Sequence, residues 1–543
     1  FQIASSKTDV LDVMEEDQIG ISLPQSFEIS GFMNKKGQQY STFTNLRTDF
    51  GDLKLEGNIG LNEEIDYEMI LQLDSLKLSQ LFGNTSLGDL NMSIAYEGQG
   101  ESLTNLTAKL NSKIDSIHLG GYVYKGFEIK ADIDKGNGKT NLDYYDDNLQ
   151  FDFTSSFNLD SLSSTIDILF DLKGIRPQRL GLTKKDFKAK TKIKLHFEGN
   201  YDAFKFDALL NDGLVIYDQT PYHLGKFQVS SIVDSTQTSV KANSDFLEAL
   251  LNANSSIQKI GEALQNHYNK YSIEEKPQLI SNSSVLFDFN LKLNASPVLK
   301  DVFISGLQEA DTLTASIKFD EKKEKLQANL KWPYLNYKGY EVSGIEAGID
   351  SNGDNADFYF NMDKALAGPL DLPSTQIDGR FQNDSLNVFF KASTAEKEIF
   401  RTQFNLKLDK EVQRFNISPE KLILNGEQWS IVPANEIVFT EDSLHVSHFK
   451  LKKHNQFLEL KDDLDFDTSH LGLVFNNLKL STFSSYLNPT HRIAEGHVDG
   501  QFVVINPLDF KGLVSDLSLK DFSINNVALG DLNLNAEANP DES

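Results

Sequence analysis

Three short stretches of this sequence carry residues that could do chemistry. The first, Gly138-Lys139-Thr140, resembles the end of a phosphate-binding loop, in which backbone N–H groups and a lysine hold the phosphates of a nucleotide. That loop needs a glycine five places earlier, where this chain has Ile133, and it precedes a helix. The flanking residues here predict a hairpin, so nucleotide binding is not expected.

The second stretch could bind calcium. Asp350, Asn352 and Asp354 have the spacing of the first ligands in a calcium-binding loop. The turn glycine of that loop is replaced by Asn355, and the glutamate expected at the twelfth position is Asn361. A calcium site is therefore not predicted.

The third stretch contains His445 and His448, with His454 nearby. In a strand, residues three apart point to opposite faces, so the first two histidines cannot bind one metal ion together. The chain also has no Gly-x-Ser-x-Gly and no His-Glu-x-x-His motif. The sequence predicts no enzyme, cofactor or metal centre.

The elements that would position such residues are strands. Between Phe187 and Phe197 every second residue is mostly apolar, whereas the residues between them are Lys188, Lys190, Lys192, Lys194 and His196. A period of two sends successive side chains to opposite faces of a strand. This stretch therefore predicts a strand with one apolar face and one wet face.

The same alternation recurs along the chain and defines a predicted apolar lining. A hairpin is predicted with arms at 313–319 and 326–332 and a polar turn at 320–325. We expect the apolar sides of these strands to line one long groove, with the lysines of 188–194 facing water. The predicted lining residues are Ile65, Tyr67, Met69, Leu71, Leu73, Phe187, Ile193, Leu195, Phe197, Val285, Phe287, Phe289, Leu291, Leu293, Leu313, Ile317, Phe319, Leu326, Leu330, Trp332, Phe404, Leu406 and Leu408.

One segment departs from the strand pattern. Between residues 245 and 271, apolar residues recur at helical spacing, and Asp245 with Glu248 could form a capping box. The sequence thus predicts one amphipathic helix near 245–271. Such a helix either caps part of the apolar face of the sheet or acts as a movable lid over it.

Short sequence repeats suggest how the strands are organised. Tyr-Lys-Gly-Phe at 124–127 matches Tyr-Lys-Gly-Tyr at 337–340, and Leu-Lys-Leu-Ser occurs at 76–79 and 478–481. Several such pairs indicate degenerate repeats along one continuous rod of residues 1–543. About 40 strands stacked about 4.8 Å apart would span roughly 150–200 Å. The predicted fold is mainly β, a long curved antiparallel sheet that forms an elongated apolar groove.

Composition limits the partners. The 52 Lys and Arg residues against 79 Asp and Glu give a net charge of −27, which excludes the clustered basic surface that nucleic acid requires. There is no cysteine, so the strand ladder must hold the fold, and no run of 18 apolar residues occurs. Because the chain starts at Phe1 without a methionine or a signal-peptide pattern, we expect it to be a piece of a longer protein.

The pattern resembles a known family. Alternating strands, the Gly-Asp-Leu turns at 51–53, 88–90 and 530–532, and the run 495–504 are similar to the AsmA/TamB family. So are the block Trp-Ser-Ile-Val-Pro at 429–433 and the runs 437–439 and 455–457. The predicted helical segment, at 264–271, is most similar to the TamB branch in Bacteroidota.

The resemblance implies a fold and a function. The implied fold is a long curled β-sheet with an apolar trough. The implied activity is moving phospholipid between the inner and outer membranes across the periplasm. In that family an N-terminal helix anchors the protein in the inner membrane, and a C-terminal domain meets an Omp85-type outer-membrane barrel. We expect both of those parts to lie outside this chain.

Two other functions fit the pattern. One is a scaffold that offers strand edges to outer-membrane β-barrel proteins during their assembly or translocation, without carrying lipid. The other is a surface adhesin or stalk built as a closed β-solenoid, although the short regular repeats of a solenoid are not visible. Co-purifying phospholipid would favour the lipid groove, and its absence would favour the scaffold.

A recurring tripeptide suggests a modification. Asp-Ser-Leu and its relatives resemble the Asp-Ser/Thr-apolar acceptor of O-linked glycans in exported Bacteroidota proteins. The alternative is local turn geometry, in which Asp and Ser side chains bond nearby backbone amides. The candidate acceptors are Ser75, Ser116, Ser161, Thr312, Ser385 and Ser443.

Overall fold

The structure, a computed structural model, describes most of the chain. The described residues are 2–9, 22, 24, 26–61, 64–102, 104–160, 162–271, 284–409, 411–420 and 422–538. By their internal contacts they divide into two compact units. Unit 1 is Phe1–Asp245 with Pro297–Phe303, and unit 2 is Phe246–Ser296 with Ile304–Ser543.

Where it is described, unit 1 is a run of long strands with two short helical segments, α1 (Leu78–Phe82) and a π-helix (Leu299–Phe303). Its strands are β1 (Gln2–Asp9), β2 (Ser26–Lys36), β3 (Gln39–Thr48), β4 (Gly51–Leu61), β5 (Ile65–Lys77), β6 (Leu87–Gln99), β7 (Thr107–Leu119), β8 (Tyr122–Asp134), β9 (Asn137–Tyr145), β10 (Leu149–Asn158), β11 (Ser164–Ile175), β12 (Phe187–Gly199), β13 (Phe204–Tyr217), β14 (Thr220–Val233) and β15 (Thr238–Asn243).

The described residues of unit 2 include two helices, α2 (Ile257–Asn269) and α3 (Ser481–Leu487). Its strands are β16 (Leu247–Ala253), β17 (Leu286–Leu293), β18 (Leu307–Ala310), β19 (Leu313–Asp320), β20 (Lys325–Tyr337), β21 (Tyr340–Ser351), β22 (Asn355–Met362), β23 (Lys364–Ala367), β24 (Leu370–Leu372), β25 (Ser374–Gln382), β26 (Ser385–Ser393), β27 (Glu398–Leu408), β28 (Gln413–Ile417), β29 (Ile423–Leu424), β30 (Glu427–Gln428), β31 (Glu436–Phe439), β32 (Leu444–Ser447), β33 (Lys450–Lys453), β34 (Gln456–Lys461), β35 (His470–Lys479), β36 (Ala494–Ile505), β37 (Gly512–Ile524) and β38 (Val527–Ala538).

The topology is that of an antiparallel meander. In unit 1 each strand from β1 to β14 pairs with the strand that follows it in sequence, so the last of these pairs is β14 with β15. In unit 2, β16 to β32 form an antiparallel ladder with short side branches, and β33 to β38 form a second sheet in sequence order. The prediction of a mainly β fold built on a long antiparallel sheet is confirmed.

Tight two-residue turns join many of these strands. Between β8 and β9, Lys135 and Gly136 have φ values of 48° and 80°. Two successive positive φ values are the signature of the type I′ turn, whose twist matches that of the flanking strands. The hairpin predicted at 313–332 is also present, because β19 pairs with β20 and Phe319 lies opposite Leu326.

The helix prediction at 245–271 is wrong in its first half. Residues 247–253 form strand β16, and α2 begins only at Ile257, with Ser256 as its N-cap rather than Asp245. Leu247 and Leu251 also fit a period of two, and in the structure they pair with Leu293 and Phe289 of β17. Strand pairing satisfies the backbone of this stretch and extends the sheet, so it prevails over the helical spacing.

The sequence repeats have mixed structural outcomes. At 76–79 and 478–481 both copies end a strand and lead into a short helix, at β5–α1 and β35–α3. By contrast, residues 337–340 form the turn between β20 and β21, whereas residues 124–127 lie inside β8. There Gly126 adopts a φ of 69°. The same four-residue pattern thus serves as a turn in one place and as part of a strand in the other.

Candidate functional site

A row of apolar side chains crosses unit 1 on one face of its sheet. Directly opposed residues of antiparallel strands lie on the same face, so the strand register defines this row without ambiguity. We call it the central row. From β4 to β14 it consists of Leu55, Leu71, Ile94, Ser112, Ile129, Leu142, Phe153, Phe170, Ile193, Leu210 and Phe227.

Two flanking rows widen this apolar face. Met69 of β5 and Leu195 of β12 belong to one flanking row of opposed residues, and Tyr67 and Phe197 of the same two strands belong to the other. The structure therefore brings the predicted lining residues of β5 and β12 onto one face, although they are more than 100 residues apart in sequence. Most of these side chains are half-buried rather than buried, so the face keeps contact with solvent.

The opposite face of the same strands is polar. Lys188, Lys190 and Lys194 are exposed, and Lys192 and His196 are half-exposed. This face also has its own concavities, including a depression of about 510 Å³ that reaches Lys194 and His196. This depression therefore opens on the polar side of the sheet.

Aromatic hydroxyl groups on the apolar face are held neutral. The rings of Tyr67 and Tyr96 stack with their centroids 5.2 Å apart. Burial and then the hydrogen bond with Tyr67 raise the pKa of Tyr96 to about 12. Tyr96 therefore carries no phenolate charge at neutral pH.

A half-buried carboxylate, that of Asp146, closes the turn between β9 and β10. Burial favours the protonated form of Asp146, but hydrogen bonds donated by Tyr122, Tyr144 and the backbone N–H groups of Asn148 and Leu149 outweigh it and lower the pKa. Both tyrosine hydroxyls lie 2.7 Å from the Asp146 Oδ2 atom. This cluster has all its bonds satisfied, which fits a structural role.

One end of the apolar face in unit 1 is covered by the segment Pro297–Phe303, which we call the strap. Val298 and Val302 of the strap pack against Val215 and half-buried aromatic residues that include Phe187. The Lys185 Nζ atom donates to the carbonyl oxygens of Asp301 and Val302 at 2.7 and 2.9 Å. Sequence reasoning missed the strap because it comes from a loop far along the chain with no distinctive pattern.

Helix α2 covers part of the predicted apolar lining in unit 2, at Val285, Phe287 and Phe319. Ile260 and Ala263 of the helix are buried against Val285, Phe287 and Phe319. Val285 is 1% exposed and Phe319 is 3% exposed, far below the half-buried side chains of unit 1. These three predicted lining residues are therefore packed under a helix of their own unit.

A buried histidine fixes the end of α2. His267 is 5% exposed, and its Nε2 atom shares a hydrogen bond of 2.7 Å with Ser351 Oγ. Its ring also contacts the edge of Phe319. Burial, and then the nearby Lys270, lower the pKa of His267, while Glu324 opposes this shift. His267 therefore docks in its neutral form.

The remaining predicted lining residues lie on the sheets of unit 2. Phe289, Leu291, Leu293, Leu313, Ile317, Leu326, Leu330 and Trp332 are half-buried, as are Phe404, Leu406 and Leu408 on β27. Leu406 pairs with Phe415, which packs on a buried cluster of Ile437, Leu444 and Phe449. In this part of unit 2 the apolar side chains form an interior between packed strands.

The candidate acceptors of O-linked glycans differ in their exposure to solvent. Ser75 is exposed, whereas Ser385 is half-buried and Ser443 Oγ lies 2.7 Å from Thr440 Oγ1. Ser116 accepts a hydrogen bond from Asn91, and Thr312 donates one to Asn294. Ser161 lies outside the described residues. Modification at these positions stays a prediction, although the hydrogen bonds are those expected of local turn and strand geometry.

The described residues contain no group of three or more His, Asp or Glu side chains that could hold a metal ion. His445 lies 3.3 Å from the carboxylate of Asp462. His448 and His454 have positive φ values at strand ends. Among the helices within the described ranges, none is long and apolar enough to span a membrane.

A scan against models of protein families finds no match, and a search of curated proteins finds no significant match.

Proposed function

We propose that this chain carries the acyl chains of phospholipid along the apolar face of its sheet. The observation that carries the proposal is the central row, an unbroken line of opposed side chains over β4 to β14 in which ten of the eleven are apolar. At about 4.8 Å per strand, this row is about 48 Å long. That length accommodates extended acyl chains with room to move.

The energetics suit a mobile apolar ligand. Burying about 14 methylenes at about 0.8 kcal/mol each yields roughly 10 kcal/mol, which is enough to hold a lipid tail out of water. Half-buried Leu, Ile and Phe side chains gain further burial when such a tail lies on them. Because the row repeats similar apolar groups, a tail meets no single preferred position, and this favours sliding over storage.

The wider setting follows from the resemblance in the sequence. We place the chain in an AsmA/TamB-like, envelope-spanning bridge of the periplasm. In that setting an inner-membrane anchor and an Omp85-type outer-membrane barrel would be supplied by parts other than this chain. Its direct partners would then be phospholipids taken from one membrane and delivered to the other.

Lipid extraction tests the proposal. We expect solvent extraction of the native purified chain, followed by mass spectrometry, to release phospholipid. The double substitution Phe153→Asp with Leu142→Asp places two charges on the apolar face and should abolish that lipid. The matched control, Thr154→Asp with Asn141→Asp, changes the neighbouring residues of the same two strands on the opposite face. Lipid retained by the first variant, or lost equally from both, would refute the proposal.

A further inference from the structure

The polar face of unit 1 carries a concentration of positive charge that the proposed lipid function does not use. Between residues 173 and 194 the chain has nine Lys or Arg residues and a single acidic residue, Asp186, although acidic residues outnumber basic ones 79 to 52 overall. These 22 residues form the end of β11, the loop that follows, and most of β12. A strongly acidic protein therefore has one local basic surface.

Most of these cations form no ion pair within the part of the chain that the structure describes. Lys173 bridges Asp152 and Asp171 at 3.0 and 2.8 Å, and Lys185 is bound to the strap. The other seven form no ion pair with any described residue; they are Arg176, Arg179, Lys184, Lys188, Lys190, Lys192 and Lys194. We call these seven residues the basic strip. Lys192 does lie opposite Asp171, but that carboxylate is already paired with Lys173.

The strip has a regular geometry on a rigid base. The four lysines of β12 occupy alternate positions, so they project from one face at intervals of about 6.6 Å. The loop beside them is anchored, since Leu180 is 1% exposed and its backbone N–H bonds the Arg176 carbonyl. The cations are thus presented by a strand and a packed loop.

Apolar surface accompanies the charge. Ile216 lies directly opposite Lys188 and is exposed, and Leu182 in the loop is 64% exposed. Beyond Lys194, the depression of about 510 Å³ is lined by Leu169 and Leu209 and also by Asp207. Asp207 would repel an acidic group, so the surface that favours anions ends at Lys194.

We propose that the basic strip docks an extended acidic polypeptide segment of a partner protein. An extended chain repeats its same-face side chains at the same interval of about 6.6 Å, so carboxylates at alternate positions meet successive lysines of β12. Apolar residues flanking these carboxylates then contact Ile216 and Leu182. The strip fits about four alternate acidic positions, from Lys188 to Lys194.

A narrow segment fits the electrostatics better than a membrane does. Charges are screened beyond about 8 Å at physiological ionic strength, so a segment lying on the strip meets mainly its cations. A broad anionic surface would also face the acidic remainder of a chain whose net charge is −27. Repulsion from that remainder opposes a membrane and leaves the narrow segment unaffected.

A labelled probe peptide tests the proposal on the full chain. The probe has glutamate at four alternate positions with valine or threonine between them, and a second peptide has the same composition with the glutamates in one block. We expect the alternating peptide to bind with a Kd at least about fivefold lower than that of the block peptide. Raising NaCl from 50 to 500 mM should weaken this binding at least tenfold.

Matched variants locate the site. Replacing Lys188, Lys190, Lys192 and Lys194 together by Gln should weaken binding of the alternating peptide at least tenfold. The control replaces four exposed lysines of β7 and β8 by Gln, with the same change in net charge; these are Lys109, Lys113, Lys125 and Lys130. The control should bind the peptide as the unchanged protein does.

Three outcomes would overturn the proposal. These are equal loss of binding in both variants, no preference for the alternating peptide, or binding of vesicles containing phosphatidylglycerol without binding of the peptide. The last result would make the strip a membrane contact. Lipid extraction is independent of this surface, so failure of the docking proposal leaves the proposed lipid function untouched, and the reverse also holds.

Discussion

The two units treat the same strand pattern differently. In unit 1 the central row is half-buried along the sheet, and the strap covers one end of its face. In unit 2 the row that runs through Phe287, Phe319 and Leu326 is packed under α2. Alternation of apolar and polar residues predicts the apolar face of unit 1 and that of unit 2 equally well. It does not determine which of these two apolar faces is covered.

The two segments that cover apolar faces, α2 and the strap, lie outside the stretches in which apolar and polar residues alternate. Helix α2 follows β16, and the strap follows β17, so each departs from the meander at the end of a strand. Covering residues are few: Ile260, Ala263, Leu264 and His267 in α2, and Val298 and Val302 in the strap. A small number of apolar side chains therefore decides whether a face stays accessible to a ligand.

The largest expected difference between the two faces is in stability. Phe319→Ala should lower the free energy of unfolding of unit 2 by about 3–5 kcal/mol, because it leaves a cavity beneath α2. Phe170→Ala in unit 1 should cost only about 1 kcal/mol, because that side chain is half-buried.

The two tryptophans, Trp332 and Trp429, both lie in unit 2, so their fluorescence during urea unfolding reports that unit. Hydrogen exchange of β10 to β12 reports unit 1. Equal losses at the two sites would contradict the contrast between a covered and an open face.

A charge placed beneath the helix should uncover the face of unit 2. We expect Ile260→Asp to lower the protection of the α2 amides against hydrogen exchange by about 2–4 kcal/mol, because a carboxylate cannot stay buried without a partner. The control Gln265→Asp, on the exposed side of the helix, should change it by less than about 0.5 kcal/mol. On the proposed function, the first variant also binds additional acyl chains. Unchanged protection in Ile260→Asp would show that α2 does not depend on its apolar side.

The docking of α2 should depend on pH through His267. Burial and Lys270 lower the pKa of His267 in the folded state below its ordinary value of 6.5. The docking of α2 is therefore fully stable above pH 6.5, and it weakens as the pH falls through the lowered pKa of the folded state. Charged Glu324 limits this loss, since it favours the protonated ring. Exchange protection of α2 measured from pH 7.5 to 5 should therefore fall in the native chain. It should stay nearly flat in His267→Gln, which retains a hydrogen-bonding group toward Ser351. A fall of the same size in both would assign the pH dependence to another group.

The smallest expected effect is a substitution that stabilises helix α2. Gly261 lies on the exposed side of α2 with open space around its Cα atom. Gly261→Ala should raise the protection of the helix by about 0.5–1 kcal/mol, because alanine loses less backbone entropy in a helix. A decrease would indicate that the helix is not the preferred state of this segment.

The strands were predictable because their signal is local. A period of two over five or more residues, as in β5, β12 and β19, is compatible with a half-buried strand and little else. The hairpin around Phe319 and Leu326 followed from that signal and a polar turn. Where both periods fitted, as at Leu247 and Leu251, the local signal failed, and pairing with β17 decided for a strand.

By itself, the sequence determined the class of fold and the two-faced character of the strands, because side-chain alternation is fixed by the geometry of each strand. Tertiary structure decided which strands are neighbours, so that Leu71 and Ile193 share one row although they are 122 positions apart. It also decided that His267 meets Ser351 and that the strap covers one end of the apolar face of unit 1. It left the lysines of β12 without an ion pair to any described residue. These results depend on contacts between residues distant in sequence, and no local pattern encodes such contacts.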